Sequence, residues 1–503
     1  MTSTRLPLLY ALFLCCIIPL HAGAQGENNI WAFGQKKGLD FNGGDPVLIS
    51  TSISAYESCA TVCDATGALL FYQGTDTGSN NCIWDKNHTI MPNGSGIKGN
   101  LYSSARQGSC IIPFPDGSGK YYLFTTSTME NIMSLGDTLT FLWCSVVDMN
   151  LRGGLGDVDP LYKNRIIDTM SSSEAIAVTR GPDCSMWLIT NSPDTLVFNA
   201  YKISTTGIEV KPVVSGFPSP RYKISRDVTG MILSDLAMSP NGQLMAFSRH
   251  DYYPLLELYD FDPASGVFSN RRVLDSVYHT LQFSPEGSKL YTSWGDLLQY
   301  DLSLLPSIAA VKASKYNVNI YARRTREGPD RRVYVVWEDR LYRINKPELA
   351  GAACDFTYYT STGKPAANGF GLPVRLAAPP SMIYSSRDTQ ACFAPEALIA
   401  ARPGYEGYTW ADGTIGRILK MKDPGLTWVR MSNGCTVHID TIRVSEKINS
   451  QTEYKRDTAL CFGSSVTLNA PAGYERYRWS NGSDSQSAVV TPKNTVVWLQ
   501  SVS

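Results

Sequence analysis

The chain has 503 residues, more than one ordinary hydrophobic core supports, so several domains or one large repeat domain are expected. Hydrophobic residues make up 43% of the sequence and charged residues 18%, which is typical of a folded protein and excludes a disordered chain. The 45 Lys and Arg residues balance the 45 Asp and Glu residues, so no net field favours nucleic acid or an anionic membrane as a partner.

The first 24 residues have the pattern of an export signal. Arg5 supplies a positive charge, Leu6 to Leu20 form an apolar run, and Ala22 to Ala24 offer small residues for cleavage. These features predict a signal peptide over residues 1–24. No later run approaches the length that a spanning helix needs. We therefore expect an exported chain without a transmembrane segment, located at the cell surface or secreted.

From residue 25 to residue 385 short strand patterns alternate with turn signals. Two near copies of one hairpin, SPNGQLMAFS from Ser239 and SPEGSKLYTSW from Ser284, begin 45 residues apart. A Pro-X-Gly turn before bulky residues predicts a β-hairpin, and this period is typical of four-stranded propeller blades such as WD40-like repeats. Four further stretches have a related pattern and begin at Cys63, Phe114, Gly181 and Gly328.

A seventh unit can be assembled from both ends of this region. Gly369 to Pro379 has the character of an inner strand, whereas Asn29 to Gly34 and Gly38 to Gly43 are typical of second and third strands that lack one. Joining them would close the ring and leave no free sheet edge. The sequence thus predicts an all-β fold with a seven-bladed β-propeller over residues 25–385, in preference to six or eight blades.

Beyond residue 385 the pattern changes. Residues 386–446 alternate short strands bracketed by Cys392 and Cys435, which predicts an immunoglobulin-like β-sandwich with one disulfide. Residues 447–503 repeat the pattern at an offset of 69, so that Cys461 matches Cys392 and Trp479 matches Trp410. We interpret this segment as a second immunoglobulin-like module that is incomplete.

The number of cysteines in the chain is consistent with an exported protein that forms disulfides. Ten cysteines follow the predicted cleavage site, and disulfides are the default in an exported protein. Cys59 and Cys63 are disulfide candidates in the propeller region, where the pairing stays open. Metal binding is the alternative, but no CxxC pair or histidine cluster completes a four-ligand set. We predict neither a metal nor a cofactor.

A series of motifs follows a distinctive order along the chain. It runs through IWAFGQKKGLDFN, SCATVCDATGALLFYQGT, IWDKNHTIMPNGSGIKGN, YYLFTTS, VVDMNLRGGLGDV and NGFGLP, and then TWADGT and DTIRV. Together the motifs resemble Bacteroidetes surface proteins of the type IX secretion system, which are associated with gliding motility and carry PKD-like or immunoglobulin-like repeats after a propeller. The resemblance implies the secretion machinery as a partner. Such proteins usually end in a sorting domain, whereas this sequence stops within a module, so it is either a fragment or a periplasmic product.

The same resemblance bears on covalent modification. Asp followed by Ser or Thr and then a small or apolar residue is similar to the O-glycosylation acceptor pattern of that bacterial group. The alternative is that Asp-Thr is common where strands begin. The candidate acceptors are Thr138, Thr169, Thr195, Ser276, Thr441 and Thr458.

The sequence contains no evident catalytic constellation. His250 and Asp251 are adjacent, and neighbours on a strand point to opposite faces, so a polar loop pair is favoured over an acid–base pair. Propeller loops could bring several carboxylates together on one face, as glycoside hydrolysis requires. Most of them, however, stand in turn or strand-end positions, where a carboxylate accepts local backbone hydrogen bonds. These residues are Asp235, Glu286, Asp296, Asp301 and Asp339. A run of basic residues is interpreted as a solvated loop or blade edge, and it comprises Arg323, Arg324, Arg326, Arg331 and Arg332.

These observations favour a non-enzymatic exported protein whose propeller binds a protein or glycan ligand in adhesion or gliding motility. No catalytic residue is assigned. One alternative is a propeller hydrolase or lyase acting on polysaccharide, which carboxylates and a histidine converging at the channel mouth would favour. The other alternative is a periplasmic scaffold of the secretion apparatus.

Overall fold

The computed structural model is an all-β chain in which nearly every sheet is antiparallel, as predicted. It describes residues 26–502, with gaps at 129–130, 132–139, 170–172, 183, 193–195, 219–233, 250–254, 277–279, 362–371, 374–380, 394–395, 434–435, 448–460, 462, 475 and 492–496. The predicted signal peptide lies outside these residues, as do Thr138, Thr195, Thr458 and Cys435. None of the described helices is long and apolar enough to cross a membrane.

Four sheets form in sequence order from the first part of the chain. The first contains β1 (Ile30–Phe33), β2 (Gln35–Asp40) and β3 (Val47–Ser54). The second contains β4 (Ala60–Cys63), β5 (Leu69–Thr75), β6 (Asn81–Asp85) and β7 (Ile90–Ser95). The third contains β8 (Ser109–Pro113), β9 (Lys120–Thr126), β10 (Phe141–Asp148), β11 (Asp157–Val158) and β12 (Arg165–Thr169). The fourth contains β13 (Ile176–Arg180), β14 (Met186–Asn191), β15 (Val197–Ser204), β16 (Gly207–Ile208) and β17 (Val213–Gly216).

Three four-stranded sheets follow. The fifth contains β18 (Ser234–Met238), β19 (Leu244–Arg249), β20 (Leu255–Asp262) and β21 (Val267–Asp275). The sixth contains β22 (Leu281–Phe283), β23 (Lys289–Trp294), β24 (Asp296–Asp301) and β25 (Tyr316–Tyr321), with helix α1 (Ile308–Ala313) before β25. The seventh contains β26 (Arg324–Glu327), β27 (Val333–Trp337), β28 (Arg340–Ile344) and β29 (Phe356–Ser361). Short 3-10 helices cover Gly26–Asn28, Leu101–Ser103, Leu151–Gly154, Pro160–Tyr162, Leu302–Leu304 and Gly351–Cys354.

The predicted Pro-X-Gly hairpins are confirmed in the fifth and sixth sheets. The Gly242 N–H donates to the Ser239 carbonyl at 2.8 Å, and the Gly287 N–H donates to the Ser284 carbonyl at 2.8 Å. Both glycines have a positive φ, 70° and 79°, which only glycine adopts without steric cost. Each turn therefore joins the first and second strands of its sheet as the sequence predicts.

Neighbouring sheets pack face to face through apolar side chains, and the first strands of successive sheets contact one another. β4 contacts β8, while β13, β18, β22 and β26 contact in succession. Trp31 of the first sheet lies edge-on to Tyr334 of the seventh, with ring centroids 5.5 Å apart. Leu372, from the predicted closing segment, belongs to the same buried cluster. The arrangement is β-propeller-like.

The remaining strands form smaller sheets. β30 (Ser381–Ala391), β32 (Gly407–Trp410), β34 (Gly425–Asn433) and β35 (Thr436–Glu446) form one sheet, in which β30 runs parallel to β35. The other strands form three antiparallel pairs. β31 (Ala397–Ala400) pairs with β33 (Ile418–Met421), β36 (Val466–Asn469) pairs with β38 (Ser487–Val490), and β37 (Arg476–Trp479) pairs with β39 (Leu499–Val502).

The predicted 69-residue offset recurs in the hydrogen bonds of the last two segments. The Trp410 indole donates to the Gly416 carbonyl at 2.8 Å, and the Trp479 indole donates to the Ser485 carbonyl at 2.9 Å. Each acceptor stands six residues beyond its tryptophan. The two segments therefore share the same local turn around a buried indole.

The disulfide candidates Cys59 and Cys63 do not pair with each other. Both are buried free thiols, one directly before β4 and the other at its end. An extended strand separates residues four apart by about 13 Å, whereas a disulfide needs Cα atoms within about 7 Å. Burial raises the pKa of each thiol to about 12, so both stay protonated and unreactive at neutral pH. The Cys392–Cys435 pairing stays a prediction.

Candidate functional site

The first strands of four sheets line a cavity of about 370 Å³. These strands are β13, β18, β22 and β26, and each is an edge of its own sheet, so their edges face a shared space. The volume lies within the range of small-molecule sites. We call this cavity the channel site. Its longer polar side chains are Gln107, Arg180, Gln282, Arg326, Glu327 and Arg331.

Strand β26 supplies the charges of the channel site. Its sequence is Arg-Thr-Arg-Glu, and all four residues are buried. Residues two apart on a strand share a side, so Arg324 and Arg326 leave it in one direction. Thr325 leaves in the other, where its hydroxyl lies 2.8 Å from that of Thr280, which precedes β22. This bond fixes β26 against the neighbouring sheet.

A buried ion network crosses the channel beside the cavity. Asp235 of β18 is fully buried and accepts from Nη1 of Arg324 at 2.6 Å and from Nη1 of Arg106 at 3.4 Å. At these distances the negative charge of the carboxylate and the positive charges of the guanidiniums offset the cost of burying one another. Asp235 is therefore occupied in holding the arginines.

Arg326 differs from these paired arginines. It is 8% exposed, and its Nε has no hydrogen-bond partner among the described residues. Burial lowers the pKa of its guanidinium to about 10, with repulsion from Arg324 adding to the shift, so the group still carries its charge at neutral pH. A buried charge with an unpaired donor is costly unless something else supplies the partner. Arg326 therefore marks the channel site as a place for an anionic ligand.

Glu327 is the one acidic residue among the described residues that line the cavity. It is 6% exposed and stands at the end of β26. Arg331 lies at the mouth, where its Nη2 is 3.5 Å from the Glu286 carboxylate. With Arg180 included, the lining has three guanidiniums against one carboxylate, so it favours an anion.

The interpretation of the basic run as a solvated loop or blade edge holds only in part, because β26 is an edge strand but two of its arginines are buried. Arg324 and Arg326 are only 4% and 8% exposed. Their i and i+2 spacing on an edge strand is the signal that could have indicated a charged channel, because both side chains then point the same way. Arg331 and Arg332 lie on the following turn, and Arg332 pairs with Asp45 at 2.6 Å.

The carboxylates chosen from sequence do not converge. Asp235 lies in the channel but is ion-paired, and Glu286 lies at the mouth. Asp296 accepts from the Asn317 side chain at 2.9 Å, and Asp301 accepts from the Ser303 backbone at 3.0 Å. These last two therefore have local roles, and His250, Asp251 and His279 lie outside the described residues.

A second polar cluster lies in the β30–β35 sheet. The Ser385 hydroxyl donates to Asp440 at 2.5 Å and lies 2.7 Å from Nε2 of His438. The Tyr405 hydroxyl lies 2.6 Å from Nδ1 of the same imidazole. In a nucleophilic triad the carboxylate would orient the histidine, whereas here it contacts the serine. We therefore interpret this cluster as a structural network.

This network predicts acid sensitivity. Although burial alone would raise it, hydrogen bonds from Ser385 and Arg387 and the charge of Arg402 lower the pKa of Asp440 below its usual value. A carboxyl with a lowered folded pKa stabilises the fold above its unfolded pKa of about 3.9, and this contribution is lost as the pH falls below that value. We expect the free energy of unfolding of this sheet to decrease as the pH falls below about 4.

Denaturant unfolding followed by hydrogen exchange of β34 and β35 measures this effect. The variant Asp440→Asn should lose the part of the pH dependence that comes from this carboxyl. The matched control is Asp388→Asn, whose side chain is 88% exposed and 3.8 Å from Arg443. An unchanged acid dependence in Asp440→Asn would contradict the assignment.

The comparisons with known proteins concern the fold. No protein-family model and no curated protein sequence matches the chain. A protein from Lactobacillus plantarum has a TM-score of 0.41 at 12% identity, and the match covers 68% of this chain and 98% of that one. A candidate 6-phosphogluconolactonase from Bacteroides fragilis has a TM-score of 0.40 at 9% identity, with coverages of 68% and 96%. A luciferin-regenerating enzyme has a TM-score of 0.32 at 12% identity, with coverages of 64% and 97%.

The prediction of a non-enzymatic platform for adhesion or gliding motility is not supported by these comparisons, which include one structure named as a candidate 6-phosphogluconolactonase and one named as a luciferin-regenerating enzyme. Their identities of 9% and 12% transfer neither a substrate nor a reaction to this chain. An enzymatic propeller is therefore a hypothesis that only the residues of the channel site can support.

Proposed function

We propose that the protein is a lyase acting on acidic polysaccharide, with the channel site as its active site. The observation that carries this proposal is Arg326, a buried guanidinium with an unpaired Nε, which lines a cavity whose one described acidic residue is Glu327. Alternation along β26 would direct the two side chains to opposite faces, but Glu327 is the last residue of the strand and both residues line the cavity, so a uronic acid unit would meet both groups. Its carboxylate would pair with Arg326, and Glu327 would act as the base.

The chemistry is a β-elimination. Pairing with Arg326 neutralises the sugar carboxylate and so acidifies the hydrogen on the carbon beside it. Glu327 removes that proton, the electron pair forms a carbon–carbon double bond, and the glycosidic carbon–oxygen bond breaks. The departing oxygen takes up a proton and becomes a hydroxyl. The reaction balances without a redox partner. The polysaccharide is divided into one fragment that ends in an unsaturated sugar and one fragment that ends in a new hydroxyl.

A polysaccharide hydrolase is the second candidate. Glycoside hydrolysis commonly uses two carboxyl groups that face one bond. Asp235, a buried carboxylate beside the cavity, is ion-paired to Arg106 and Arg324. Elimination needs one base and one cation, so the described residues favour the lyase.

We also propose the finer architecture around this site. Seven blades would surround the channel, with the segment 369–379 completing the first sheet. The packing of Leu372 with Trp31 and Tyr334 supports this closure. Residues 386–446 and 447–503 would then form immunoglobulin-like modules that carry the propeller on an exported protein. Export through the type IX machinery and O-glycosylation of Thr169, Ser276 or Thr441 stay predictions.

A substrate panel tests the activity. The purified chain is incubated with an acidic polysaccharide such as polygalacturonate, with its methyl-esterified form and with a neutral glucan. We expect cleavage of the acidic polymer, and much slower cleavage once its carboxylates are esterified, because Arg326 then lacks its partner. Equal cleavage of the acidic and esterified polymers would contradict the proposal.

A further inference from the structure

The channel site has cationic groups at two depths. Arg326 belongs to a buried strand, whereas Arg331 lies on the turn that follows and is 59% exposed. Both line the same cavity. One anionic group bound inside the cavity would leave the guanidinium at the mouth available to a second anionic group outside it.

The backbone at Arg331 has a conformation that glycine adopts more easily than arginine. Its N–H donates to the Gly328 carbonyl at 3.0 Å, the same pattern that Gly242 and Gly287 make in the two preceding sheets. Arg331 has a φ of 60° at this position, where those sheets carry glycine. A side chain at positive φ is strained, and Arg331 shares this strain with twelve other described non-glycine residues, so its role rests on its place in the cavity lining.

The partner of Arg331 in the unliganded chain is easily replaced. Glu286 lies on the neighbouring turn, 3.5 Å away, and its side chain is 70% exposed. Exposed ion pairs contribute little because water and salt screen them. An anionic ligand at the mouth could therefore take the place of Glu286 at small cost.

We infer that the channel site binds an acidic oligosaccharide rather than a single acidic sugar, with Arg326 holding the carboxylate of the inner unit and Arg331 that of the next unit. This inference rests on the proposed function and specifies its substrate class. Arg331 is then a specificity residue. A monomer would contact Arg326 alone, and an oligomer would contact both arginines.

Isothermal titration with galacturonate monomer and trimer tests the inference. We expect the wild type to bind the trimer about tenfold more tightly than the monomer, because one further charge-assisted contact is made. Arg331→Gln and Arg331→Gly should lose this preference and keep the affinity for the monomer. Arg326→Met should weaken the binding of both ligands.

Lys36→Gly is the matched control for the backbone, since Lys36 has a φ of 57° and is exposed outside the channel site. Both glycine variants should raise the melting temperature, and the trimer preference should be lost in Arg331→Gly alone. An unchanged preference in both Arg331 variants, or no binding by the wild type, would overturn the inference. Binding that depends on Arg331 without any cleavage would overturn the proposed lyase and leave the inference standing.

Discussion

Replacing Asp235 with Asn is expected to lower the free energy of unfolding by about 3–5 kcal/mol, which is the cost of leaving buried charges without their partner. Asp235 is fully buried and lies 2.6 Å from Arg324 and 3.4 Å from Arg106. The amide would leave two guanidiniums in the channel with no net counter-charge from this position. Equilibrium denaturation in urea measures the effect.

The matched control is Asp260→Asn in the same sheet. Asp260 pairs with Arg272, but its side chain is 43% exposed, so its loss should cost about 0–1 kcal/mol. A loss below about 1 kcal/mol for Asp235→Asn would show that the network is not a major source of stability. The ion network of Asp235 with Arg324 and Arg106 would then not hold the channel together.

Glu327→Gln is expected to reduce the rate of polysaccharide cleavage by about 10²–10⁴-fold, the usual contribution of a general base. The amide keeps the shape of the side chain but cannot accept a proton. Because Arg326 is unchanged, the affinity for the acidic trimer should stay within a few fold of the wild type. Initial rates and titration on the same preparation separate the two effects.

Asp296→Asn is the control for this variant. Asp296 is a carboxylate outside the cavity lining whose described contact is with Asn317 on the adjacent strand, so its loss should leave the rate unchanged. Equal rates for Glu327→Gln and the wild type would exclude Glu327 as the base. A loss of trimer binding along with the rate would instead show that Glu327 shapes the site.

The hairpins could be predicted from the sequence because their chemistry is local. Pro-X-Gly after Ser239 and Ser284 specifies a turn within four residues, and the observed bonds at Gly242 and Gly287 lie inside those turns. The 69-residue repeat could also be predicted from the sequence, because the turns after Trp410 and Trp479 share a short local pattern.

The channel site could not be predicted because it depends on contacts between distant segments. Arg324 meets Asp235 from 89 residues away, and no local pattern records that pairing. A run of arginines near a turn is usually solvated, so the prediction followed the common case. Edge-strand geometry overrode it, since β26 places alternate side chains toward the channel. The pairing of Cys59 and Cys63 could not be predicted either, and the extended strand between them keeps the two residues too far apart to bond to each other.

Mass spectrometry of the products released from polygalacturonate tests the central claim most directly. Elimination produces a fragment with a new double bond, lighter by one water than the corresponding hydrolysis product. We expect these unsaturated fragments from the wild type and their loss in Glu327→Gln. Saturated fragments would identify the protein as a hydrolase, and the absence of any fragment would contradict the assignment of the channel site as a lyase active site.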